Sequence, residues 1–94
     1  MQYGTTRPYG TTGLTRATWQ RVPLRWINLD DLVFTQDGVY LENLLRHPHT
    51  SLTDYPPQVV EHHGTLYLED GHSRVARALI RGVREARCRV WTTT

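Results

Sequence analysis

Residues 66–90, LYLEDGHSRVARALIRGVREARCRV, constrain the fold more than any other stretch of the chain. Leu66 and Leu68 alternate into Glu69-Asp70-Gly71, and from Ser73 the spacing changes, with Val75, Ala76, Leu79 and Ile80 recurring on one side of a helix. A period of two giving way to 3.6 across a glycine predicts a strand, a tight turn and a helix. Gly71 stands where the backbone turns, and Asp70 or Ser73 is placed to cap the helix. The free N–H groups of a first helical turn carry partial positive charge, so a turn of this kind suits an anion. Arg74 adds a guanidinium there, able to fork onto two phosphate oxygens. Gly82 ends the helix, and 85–90 reads as a following strand.

The remainder divides into short elements. Residues 1–18 repeat Tyr-Gly-Thr-Thr around Arg7-Pro8 and read as a flexible N-terminal arm, with 19–94 as one domain. The arm is either a solvated tail or, through its tyrosines and arginines, a stacking surface for single-stranded nucleic acid. Residues 19–27 carry apolar side chains at 22, 24 and 26 or 27, a strand with Pro23 at its start or on an edge. Asn28 then caps a short helical turn running through Leu32 to Phe34. Asp37-Gly38 is a turn signal, Tyr40, Leu41, Leu44 and Leu45 have helical spacing, and residues 47–56 form a polar, proline-bounded loop. Gln58 to His62 and Thr65 to Glu69 make a hairpin around His63-Gly64, which brings its second strand under the Gly71 turn.

Charge is unevenly spread. The net charge is only +2, yet all 11 basic residues are arginine, and six of them (Arg74, Arg77, Arg81, Arg84, Arg87, Arg89) lie between 74 and 89 against the single acid Glu85. At about 100° per residue, Arg74, Arg77 and Arg81 share one helix face, opposite Val75, Ala76 and Leu79. That face reads either as solvated surface or as a track for a nucleic-acid backbone or polyphosphate. The single cysteine, Cys88, excludes an internal disulfide and falls in an apolar alternation, as an inert strand residue would. No stretch approaches the roughly 18 apolar residues of a membrane span, so the expected setting is the cytoplasm, away from membranes.

Asp70-Gly71-His72-Ser73-Arg74, followed by Ala76, Ala78, Gly82 and an alternation ending at Val90, resembles the signature of the ParB/sulfiredoxin-like superfamily. Val22-Pro23-Leu24 through Leu32 and Pro57-Gln58-Val59-Val60 resemble its upstream strands more weakly. The resemblance implies an α+β fold: a small mixed sheet with helices, preceded by the flexible arm. Glu42 to Arg46 spells a string similar to one that partition proteins carry near a nucleotide, but here it precedes the turn instead of following it. The sulfiredoxin turn bears a catalytic cysteine where this chain has His72, which excludes that repair chemistry.

Three functions follow as expectations. The first is a module that binds phosphate ligands, DNA above all, through Gly71, His72, Ser73 and Arg74 and the face carrying Arg77 and Arg81. The second is a small ParB-like nuclease or an ATP or CTP hydrolase. In it His72 would work as general acid or base with Glu69 or Asp70, a pair that would also hold Mg2+ through a bound nucleotide's phosphates. The third is a phage or mobile-element protein acting through a host protein partner. The other histidines, His47, His49, His62 and His63, lack the spacing of a zinc site.

Overall fold

The computed structural model describes residues 7–35 and 52–93. Five strands form one sheet in the order β1-β5-β3-β4-β2. They are β1 (Leu24–Asn28), β2 (Leu32–Phe34), β3 (Gln58–His62), β4 (Thr65–Asp70) and β5 (Glu85–Thr92). Among the described residues two α-helices accompany them, α1 (Arg16–Trp19) and α2 (His72–Ile80). The architecture is therefore small, α+β and mixed: β1 runs antiparallel to β5 and β3 to β4, while β3 pairs β5 and β2 pairs β4 in parallel.

Residues 58–62 form the centre of the sheet because they carry two adjacent valines. A strand sends successive side chains to opposite faces, so Val59 and Val60 can both be buried only where both faces are covered. Val59 joins the main core with Leu29, Leu32, Phe34, Leu68, Val75, Ala76, Cys88 and Val90. Val60 joins a second cluster with Trp19 and Val22, against which Tyr9, Leu14 and Trp91 pack. Residues from the stretch read as a flexible arm thus supply part of this second cover, with Thr15 capping α1 by accepting from Thr18 N.

The β3–β4 hairpin follows from its turn. His63 and Gly64 both have positive φ, 51° and 81°, which a two-residue turn matching strand twist requires. Gly71 has φ 101°, and a Cβ there would sit 3.0 Å from Arg74 Nη2 and 3.5 Å from Pro57 Cα, so glycine meets both the backbone and the space requirement. It occupies the N-cap of α2 without any side-chain cap; neither Asp70 nor Ser73 takes that role. At the other end Gly82, φ 86°, reverses the chain, with Gly82 N donating to Leu79 O and Val83 N to Ala78 O.

Two sequence expectations change. Asn28 does cap a short turn, accepting from Asp30 N at 3.0 Å, but that turn is a 3-10 helix over Leu29–Asp31, and Leu32–Phe34 is a strand. Leu32 and Phe34 are buried on either side of a partly exposed Val33, a period of two that satisfies β4 alongside. Ile80, expected in the core, is 73% exposed. The turn at 37–38, the helix at 40–45, the string at 42–46 and the histidines at 47 and 49 lie outside the described residues. Among the described residues no helix is long and apolar enough to cross a membrane.

Candidate functional site: an inward cluster and an outward groove

The predicted site residues separate into two places. Glu69 and His72 lie in an internal network with the N-terminal segment. Arg7 Nη1 pairs with Glu69 Oε1 at 3.1 Å, Tyr9 Oη donates to Glu69 Oε2 at 2.5 Å, and Arg7 Nε donates to Thr35 Oγ1 at 3.2 Å. Thr35 in turn donates its hydroxyl to Leu68 O at 2.8 Å and its N–H to His72 Nε2 at 3.2 Å. Burial and the neighbouring carboxylate raise the Tyr9 phenol above its ordinary pKa. His72 is buried, with its ring edge-on to Phe34 at 5.3 Å between centroids. Accepting the Thr35 N–H requires an unprotonated Nε2, and burial, helped by the Arg7 charge, pulls the His72 pKa down and favours that neutral form.

Asp70 and Arg74 form the other half of the turn. Arg74 donates to the Tyr55 carbonyl and lies 3.7 Å from Asp70 Oδ2, so its guanidinium folds back onto the 52–57 loop and closes it over the turn. Ser73 is partly buried, Arg77 only 6% exposed, and Arg81 exposed. The three arginines therefore do not make one solvated track: Arg74 is partly buried, Arg77 is buried, and Arg81, beyond the helix end, is open to solvent. Among the described residues, no three His, Cys, Asp or Glu side chains gather where they could hold a metal ion. Cys88 is fully buried in β5, and desolvation pushes its thiol pKa up to about 12, the setting of an inert side chain.

A second feature lies at the β1 edge. A groove of about 400 Å³ runs between β1, the start of β5 and the C-terminal end of α2. Leu24, Trp26, Val83, Arg81 and Arg87 line it, Trp26 being 68% exposed. The Arg87 guanidinium sits 5.8 Å from the Trp26 ring centroid, within cation–π range. Arg81 belongs to the arginine face expected from sequence and Arg87 to the same arginine-rich run, but Leu24, Trp26 and Val83 carried no functional expectation. The available signal was the conflict between an apolar set at 22, 24 and 26 and Ile27: alternation buries one parity, and Ile27 is the buried one.

A family model described as "Antitoxin VapB-like" matches residues 1–94. The chain belongs to the VapB-like antitoxin family. No curated protein and no solved structure matched it. Membership across the whole length overturns the ParB/sulfiredoxin-like assignment. With it go the functions drawn from that assignment: the DNA- or nucleotide-binding phosphate module, and the ParB-like nuclease or ATP or CTP hydrolase. The physical reason is that the residues behind the resemblance encode local geometry. A strand, a glycine with positive φ and a helix with small residues are what any β–turn–α unit needs, and in this VapB-like chain Arg74 spends its charge on Tyr55 and Asp70.

Proposed function

We propose that this chain is an antitoxin that acts by binding a protein toxin, which makes the partner a protein and the action non-catalytic. The family match over residues 1–94 carries this reading. The surface supports it. Trp26 is 68% exposed, and Leu24 and Val83 are also open, three large apolar side chains that line one groove. Apolar surface left in water forfeits about 25 cal/mol per Å² that a partner's contact would recover, and aromatic and arginine side chains are the types enriched at protein interfaces.

Co-expression with the product of the adjacent gene tests the proposal. The expected result is restored growth of cells that the neighbour alone arrests, together with co-purification of the two proteins at fixed stoichiometry. Continued arrest, with this chain soluble and folded but eluting alone, would overturn it.

A further inference from the structure

We propose that the toxin docks in the groove between β1 and the end of α2, and that the occupant is an acidic segment carrying an apolar side chain that covers Trp26. This inference rests on the antitoxin reading and adds where and with what chemistry the partner is held.

Charge complementarity names the occupant. Elsewhere three exposed arginines are matched, Arg7 with Glu69, Arg25 with Glu61 and Arg84 with Asp30, while the exposed Arg16 and Arg21 lie outside the groove lining. At the groove, Arg81 and Arg87 form no ion pair among the described residues, and Glu85 is the one acid in the lining. Arg74 also reaches the lining, but it is committed to Tyr55 and Asp70. The rim is thus cationic around an apolar floor. A carboxylate there gains charge-assisted hydrogen bonds from a guanidinium that is already held beside an indole, so less rotamer freedom is lost on binding. Backbone geometry offers a second contact. Among the described residues β1 has β5 as its only strand neighbour, so its outer edge presents N–H and C=O groups to an extended segment.

Titration calorimetry of the full chain against the purified toxin tests this, with Trp26→Ala, Arg87→Glu and the Arg81→Glu/Arg87→Glu pair. Arg21→Glu, exposed and outside the groove lining, serves as the control. Each groove variant is expected to weaken binding at least tenfold with its melting temperature held. The paired reversal is expected to reduce the salt dependence of affinity as well, and the control to bind as wild type does. Wild-type affinity in all the groove variants would overturn the groove while leaving the antitoxin reading in place. A wild-type chain that neither binds nor neutralises the toxin would overturn both. Sedimentation showing a wild-type dimer that Trp26→Ala dissociates would assign the groove to a second copy and overturn the toxin as occupant.

Discussion

The Gly71 turn and the β1 groove both contain arginines, acids and aromatic rings, yet they spend them in opposite directions. At the turn the charged groups are partnered within the fold: Glu69 holds Arg7 and Tyr9, Arg74 holds Tyr55 and Asp70, and the buried His72 receives the Thr35 N–H. At the groove Trp26 stands open beside Arg87, and Arg81 lacks a described ion pair. The same residue types therefore serve folding in one place and remain available in the other. Motif and composition do not separate the two uses; burial and pairing do.

The contrast breaks first if the inward region proves dispensable. Phe34, fully buried against His72, sits under it. Phe34→Ala is expected to cost about 3–5 kcal/mol, the range for deleting a buried aromatic side chain. Urea denaturation checks this, and a loss below about 1 kcal/mol would mean the inward region does not anchor the core.

A smaller effect is expected from pH. His72 is held below its ordinary pKa by burial and Arg7, with Asp70 and Glu69 opposing. Between the folded and unfolded pKa values the unfolded chain binds more protons, so stability rises with pH through that interval. The His72 contribution is complete above the ordinary histidine value of about 6.5 and declines as pH falls below it. His72→Gln should flatten the stability profile below about pH 6.5 relative to wild type. Parallel profiles would remove His72 from the inward network.

The smallest change in stability is expected at the groove. Trp26→Ala should alter folding by no more than about 0.5 kcal/mol, as a surface substitution does. A loss comparable to that of Phe34→Ala would erase the distinction between the two regions.

Local elements were legible where residues a few positions apart decide them. The His63-Gly64 hairpin, the glycines bounding α2 and the alternation of β5 all announce themselves in the sequence and all appear in the fold. Leu32–Phe34 was not legible as a strand, since the Asn28 cap signals a helical turn and the parallel neighbour that makes it a strand, β4, lies far along the chain. The arginine face misled for a related reason. Helical spacing places Arg74 and Arg77 on one side, but the 52–57 loop, through Tyr55, determines that Arg74 turns inward. Leu24 and Trp26 became groove residues only once pairing with β5 set which parity of β1 is buried. The Asp70–Arg74 signature was read correctly as a turn and wrongly as a family, because turn syntax is common to many folds while family membership rests on the whole chain.

Hydrogen exchange, measured on the chain alone and in complex with the toxin, tests the central claim most directly. New protection is predicted over residues 24–28 and 81–87, with exchange at 65–72 and at the N-terminal segment unchanged. Protection confined to the Gly71 turn and the N-terminal segment, with the groove amides exchanging as in the free chain, would contradict it.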